Sequence, residues 1–220
     1  MKFCALTLAA VAIIAAPATG QIMDSATSSP GLGYGVGAFP LVITDSIVVS
    51  GSPVTSIVDV EVTLTIDHDW VGDNNPVTFS RMGGPSITLF GNPGDLLPAG
   101  EGDSSNLCGM FPITLSDVAA VPAEDMGSLI GDTDCIGDPA LMSPDTYHPD
   151  DGAGTMTFLG SFAGEDFNGT WTLSITDSYP AFSGGTLHSW TVSVNGVPEP
   201  TTVALLGLGA LAIAFRRRRC

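Results

Sequence analysis

Val58-Asp59-Val60-Glu61-Val62-Thr63-Leu64-Thr65-Ile66-Asp67 sets five apolar side chains against five polar ones in strict alternation. Successive side chains of a β-strand point to opposite faces, so a period of two makes a strand with one buried and one solvated face. Two later stretches repeat the pattern: Trp171-Thr172-Leu173-Ser174-Ile175-Thr176, then Trp190, Val192 and Val194 with polar residues between them. Shorter candidates are residues 43–49, 77–82, 86–90, 113–115 and 156–162. No sustained 3.6-residue apolar stripe runs through the middle of the chain. An all-β domain is expected, and half-buried strands need a second sheet to cover them, which makes a β-sandwich.

Composition points the same way. Of 220 residues, 44% are hydrophobic and 13% charged, and 27 Gly with 16 Pro argue against a coiled coil or a helical bundle. The six basic residues are Lys2, Arg81, Arg216, Arg217, Arg218 and Arg219, so between the two ends one arginine faces 23 carboxylates. Such a surface repels phosphate backbones, and no nucleic-acid partner is expected.

The two ends read as addresses. Lys2, the uncharged residues 5–16 and the small residues Ala18 and Gly20 form a secretory signal peptide, with cleavage expected after Gly20. Cys4 precedes the apolar core, whereas a lipid-bearing cysteine would follow it, so lipidation is not expected. At the other end, Pro198-Glu199-Pro200 leads into the uncharged residues 201–215 and then Arg216, Arg217, Arg218 and Arg219. As a helix that run would span roughly 22 Å, short of the roughly 30 Å hydrocarbon core. Arginines can snorkel across the difference and hold the tail in the cytoplasm, which suits a short, transient transmembrane helix. This order of parts resembles the PEP-CTERM sorting signal of Gram-negative bacteria. The resemblance implies an exosortase, a membrane enzyme cutting near the Pro-Glu-Pro, and a membrane-tethered precursor that ends at the outer surface or outside the cell. A plain single-pass tail anchor is the alternative.

The division expected is a signal peptide over 1–20, a flexible Gly/Ser-rich leader over 21–38, a sandwich over 39–196 and the sorting signal over 197–220. Two connections, 91–112 and 120–155, are unusually long, and such loops are either functional or pinned. Each holds one cysteine, Cys108 and Cys135, which should pair in an oxidising compartment. Cys220 lies beyond the arginines, on the reducing side.

Several blocks carry a family resemblance: His68-Asp69-Trp70-Val71-Gly72-Asp73, Ile113-Thr114-Leu115-Ser116-Asp117, Tyr147-His148-Pro149, the run from Gly169-Thr170-Trp171 to Asp177, and Gly185-Thr186-Leu187 to Trp190. In this order they resemble the P domain (Homo B domain), the sandwich that follows the catalytic domain of kexin- and furin-like proprotein convertases. The resemblance implies a jelly-roll-like, galactose-binding-like sandwich over roughly 39–195. The chain departs from the family at Asp69, at Asn74 and over 80–85, where members usually carry Thr, Leu and a Ser-Pro-x-Gly-Thr turn. Read as residues alone, Trp171 and Trp190 are large fillers, each able to offer its indole N–H to a loop carbonyl. Gly169 and Gly185 permit turns entering their strands, and Asp73, Asp117 and Asp177 can accept backbone N–H groups at turns.

Catalytic residues are not expected. His68, His148 and His188 make no H-x-x-x-H pair, and there is no G-x-S-x-G. Gly102-Asp103-Ser104 is similar to the nucleophile segment of trypsin-like proteases, but Ser105-Asn106 follows where glycines belong. The stretch between signal peptide and residue 39 is too short for a subtilisin-like domain, so no peptidase activity is expected. Calcium is the better chemical expectation, because it takes six to eight oxygens and loop carboxylates supply them. Asp69, Asp73 and Asp117 are the first ligands to test, with a merely solvated acidic surface as the other reading. The functional expectation is a non-catalytic exported module binding exopolysaccharide or another matrix component. The alternative is an accessory domain of a separately encoded subtilisin-like protease.

Overall fold

The structure, a computed structural model, describes residues 21–34, 40–94, 102–150, 159–180 and 184–198. Residues 1–20, Glu199, Pro200, the apolar run 201–215, Arg216 to Arg219 and Cys220 lie outside the described residues, so the two addresses do too. No helix among the described residues is long and apolar enough to cross a membrane. Residues Gln21–Pro198 form one compact unit.

The chain lays down β1 (Ile22–Ser28), β2 (Leu32–Tyr34), β3 (Leu41–Val49), β4 (Val54–His68), β5 (Asn74–Arg81) and β6 (Ser86–Phe90). It continues with the short β7 (Asn106–Leu107), β8 (Ile113–Ser116), β9 (Cys135–Ile136) and β10 (Thr146–Tyr147), then β11 (Gly169–Asp177) and β12 (Gly185–Pro198). One sheet is built around β12, with β4 on one side and β1 followed by β2 on the other. β4 pairs onward with β7 and β8, which β9 and β10 extend in parallel. The second sheet runs β3-β11-β5-β6. The expected all-β sandwich of two sheets is what the chain forms.

β4 shows both the strength and the limit of the alternation rule. Val60, Val62, Leu64 and Ile66 are buried as expected. Val58 is not: it is 45% exposed, and Ile57 takes the core position. The ladder steps from Asn195–Asp59 to Gly196–Ile57, so Val58 is the extra residue of a bulge and its side chain is turned outward. A second bulge lies on β12 between Leu187 and Ser189, and it turns His188 out while Trp190 returns to the core opposite Leu64.

Two expectations are corrected. Residues 21–34 are not a flexible leader: Ile22 to Ser28 pair residue for residue with Gly196 to Trp190, and Leu32 to Tyr34 pair with Leu187 to Gly185. These residues cover the edge of β12, where the ladder of backbone hydrogen bonds, not side-chain hydrophobicity, fixes them. The strand expected over 156–162 is replaced at Leu159–Phe162 by a 3-10 turn that drops Leu159 and Phe162 into the core.

Between the sheets the aromatic residues do most of the filling. Phe79 stacks on Trp171 at 5.3 Å, and Phe162 and Trp190 meet Phe79 edge-on at 5.2 and 6.2 Å. Trp171 Nε1 donates to the Phe167 carbonyl at 2.8 Å, as expected, whereas Trp190 Nε1 donates to the Asp45 carboxylate of β3 at 2.7 Å. The single arginine of the body closes this core: Arg81 lies over the Trp171 ring and bonds Glu165 and the Asn168 carbonyl, each at 2.9 Å.

The long connections are pinned. Cys108 and Cys135 form a disulfide, and Asn106–Leu107 pairs in parallel with Cys135–Ile136 beside it. For a sequence separation of 27, loop closure removes about 3.5 kcal/mol of unfolded-state entropy. Replacing both cysteines with serine should therefore lower Tm by about 10 °C, measured by calorimetry; an unchanged Tm would show that the short strands hold the loops unaided.

Candidate functional site

Of the residues that carry the family resemblance, His68 to Asp73, Asp177 and Gly185 lie where β4 stops and β12 starts. His68, the last residue of β4, stands in register with both Gly185 and Leu107 and is 1% exposed. Its Nδ1 accepts the Trp70 N–H at 3.1 Å, which assigns the ring proton to Nε2. Nε2 faces Asp177 Oδ2 at 3.6 Å, beyond hydrogen-bond reach, and neither of these buried atoms has a hydrogen-bond partner. Asp177 Oδ1 accepts the Tyr179 N–H at 2.9 Å.

Tyr34, from the β2 strand that was expected to be leader, stacks on His68 with ring centroids 5.3 Å apart. Its hydroxyl donates to Asn74 Oδ1 at 3.3 Å, and Asn74 Nδ2 donates to the Val71 carbonyl at 3.2 Å. Burial above all, then the negative charges of Asp177 and Asp67, hold the Tyr34 hydroxyl well above its usual range. The buried Asn74 amide thus has Tyr34 as a partner that an apolar side chain could not use. The Asp73 carbonyl accepts the Ser178 N–H at 2.8 Å, and the Gly72 N–H donates to the Asp103 carbonyl at 3.0 Å.

Gly185 serves a close approach, not a turn. A β-carbon there would collide with the Asp67 carbonyl oxygen and lie 2.9 Å from Tyr34 Cζ. Gly169, at the far end, has φ +143°, a backbone conformation that suits glycine alone. Outside this buried knot, the bulged His188 bonds Asp67 through Nε2 at 2.5 Å, and the same carboxylate accepts the Gly109 N–H beside the disulfide.

The three carboxylates expected as first calcium ligands sit in different surroundings. Asp117 spends both oxygens on backbone, accepting Leu159 N–H at 2.8 Å and Gly160 N–H at 2.7 Å. Asp69 is exposed, Asp73 is buried, and no group of three or more His, Cys, Asp or Glu among the described residues is placed to hold a metal. Ser104 donates its hydroxyl to Asp132, while the histidine rings engage the Trp70 N–H, the Pro149 carbonyl and Asp67. The Ser104 hydroxyl is thus held by a carboxylate, and the His68 and His188 rings by the Trp70 N–H and Asp67. At the other end of β12, Gly196, Val197 and Pro198 pair with Ile57, Ser56 and Val54, so the ladder runs up to the first proline of the Pro-Glu-Pro.

Two predictions follow from this geometry. The hydrogen bond from His188, aided by the Gly109 N–H and opposed by desolvation, lowers the pKa of Asp67. A depressed carboxyl contributes stability above its unfolded pKa, about 3.9, and loses it as pH falls through the lower folded value. Asp67→Asn should thus melt about 1–3 °C below the parent near pH ~6 and converge with it near pH ~2. Tm measured against pH for both proteins checks this, and a gap constant with pH would contradict it. Gly185→Ala should cost about 1–3 kcal/mol through overpacking, read from urea midpoints, with Gly164→Ala, in open space but at positive φ, costing less.

Residues 140–194 match the family model of the proprotein convertase P-domain, from the turn before β10 through most of β12. Residues 196–219 match the PEP-CTERM protein-sorting motif. A comparison with curated proteins found no match. Among solved structures, a serine protease of Aeromonas sobria is similar over 82% of this chain and 28% of that one, with 14% identity and a TM-score of 0.38. This chain thus spans well under a third of that protease. The sorting motif implies an exported protein processed by an exosortase. The match to the proprotein convertase P-domain model over residues 140–194 is thus followed, after one residue, by the match to the PEP-CTERM sorting motif.

Proposed function

We propose that the protein is a non-catalytic, exported sandwich of jelly-roll-like, galactose-binding-like plan, sorted by an exosortase to the envelope or extracellular matrix, where it acts as a binding or structural module. The observation that carries this reading is the continuity of β12 with the sorting motif, whose match begins at residue 196 while Gly196 to Pro198 are still hydrogen-bonded to β4. A protease needs an extended, unpaired segment, so the exosortase is offered the sequence beyond Pro198, and the sandwich is left whole by the cut. In keeping with this reading, Ser104 is bonded to Asp132, and His68 and His188 to the Trp70 N–H and Asp67.

A second reading has one observation in its favour. The match of 140–194 is to a domain named for proprotein convertases, which fits an accessory module for a separately encoded subtilisin-like protease. Intact-mass spectrometry of the exported form tests the first reading. The expected mass starts at or near Gln21, ends beyond Pro198 and lacks Arg216 to Arg219, with Cys108 and Cys135 joined. A cut inside β12, or a stable stoichiometric complex with a subtilisin-like protease in the same fraction, would displace it.

A further inference from the structure

We propose that the outward face of the β3-β11-β5-β6 sheet is a docking surface for a neutral polysaccharide; this rests on the matrix-binding reading above and assigns it a place and a ligand class. Every outward position of β11 bears a hydroxyl: Thr170, Thr172, Ser174 and Thr176. β3 sets Ser46 opposite Thr172 and Thr44 opposite Ser174, with side-chain oxygens 3.0 and 3.4 Å apart. On the other side the rows continue through Ser80 to Ser86 and through Thr78 to Thr88. Strand geometry spaces such a grid by about 4.8 Å across the sheet and about 6.8 Å along it.

Charge makes this face unlike the rest of the body. The outward positions of the four strands bear no charge, with Val42 and Val48 at the two ends of β3. The other sheet bears Glu61 among its outward positions, and the body as a whole sets one arginine against 22 carboxylates, the 23 of the chain less Glu199. A partner laid on this face therefore meets no fixed charge, only groups that both donate and accept hydrogen bonds. A surface made of hydroxyls is the chemical complement. An anionic polymer gains nothing here and is repelled by the remaining surface. A protein partner would seek aromatic or apolar anchors at the centre of the patch, which holds Ser and Thr instead.

Co-sedimentation of the protein as exported with insoluble cellulose, and with alginate gel as the anionic control, tests the proposal. Thr172→Glu places a charge at the centre of the grid, and Thr191→Glu places the same charge outward on β12; matching melting curves establish that both fold. The parent and Thr191→Glu should sediment with cellulose in low and high salt, and Thr172→Glu should lose binding at least about tenfold. Equal binding by the two variants, no binding to cellulose, or capture by alginate alone overturns the proposal. So does a dimer of the parent that Thr172→Glu dissociates, since the face would then be a contact between copies. Retention of the parent in the cell-surface matrix is scored in parallel. Retention that Thr172→Glu leaves untouched sinks the face and spares the matrix reading, whereas a parent that is not retained sinks that reading itself.

Discussion

The ladder between β4 and β12 is the constraint on which the molecule depends. It runs from Gly185–His68 at one end to Pro198–Val54 at the other, and both ends need a glycine where backbone meets backbone. Gly185 lets the strand close onto the Asp67 carbonyl, and Gly196 does the same against Val54 and Ser56. Two of its three register shifts decide which side chains leave the core: Val58 on one strand, His188 on the other. Because Trp190 touches Phe79 and bonds Asp45, the register of this pair also sets how one sheet sits on the other. A one-residue slip would turn Trp190 outward and break both contacts.

Polar groups inside the body are few, and most of them are committed. Arg81 links the end of β5 to Glu165, Asn168 and the Trp171 ring, so the lone cation of the body is spent on closing its core. Many of the carboxylates are spent on backbone: Asp117 on a 3-10 turn, Asp103 on the Ser105 N–H, Asp138 on the Ala140 N–H. Among the described residues the exceptions are Trp70 Nε1, Arg81 Nε, Asn106 Oδ1 and the pair His68 Nε2 and Asp177 Oδ2, buried face to face without a hydrogen bond. Tyr147, whose hydroxyl donates to the Pro144 carbonyl, has its pKa raised to about 12 by burial.

How much of this could be read from the residues depends on where the information lies. Alternation in β4, β11 and β12 is a local signal, and the two-sheet fold follows from it. The Cys108–Cys135 pair and the Trp171 indole bond were legible for the same reason: compartment and residue chemistry specify them without knowledge of the rest. β1 and β2 were not. Ile22, Asp24 and Ala26 make a poor apolar face, and the residues are strand because the edge of β12 needs pairing, a requirement set far along the chain. Val58 looked like core because a bulge leaves no mark in a run of valines. The two N–H groups that occupy Asp117 were not legible either, because sequence shows a carboxylate but not what it accepts. The hydroxyl face was visible in Thr170 to Thr176 all along, but its lack of charge means something only when four strands lie side by side.

The strand at the middle of the larger sheet is also the last one in the chain before the sorting motif. A ribosome or a translocation channel delivers residues in order, so β1 and the β12-facing edge of β4 must wait for nearly the whole body to emerge. High contact order of this kind makes closure slow. The apolar tail follows β12 at once, so the moment at which the body can first complete itself is also the moment at which its tail reaches the bilayer. Maturation of the two is thereby synchronised by chain order alone.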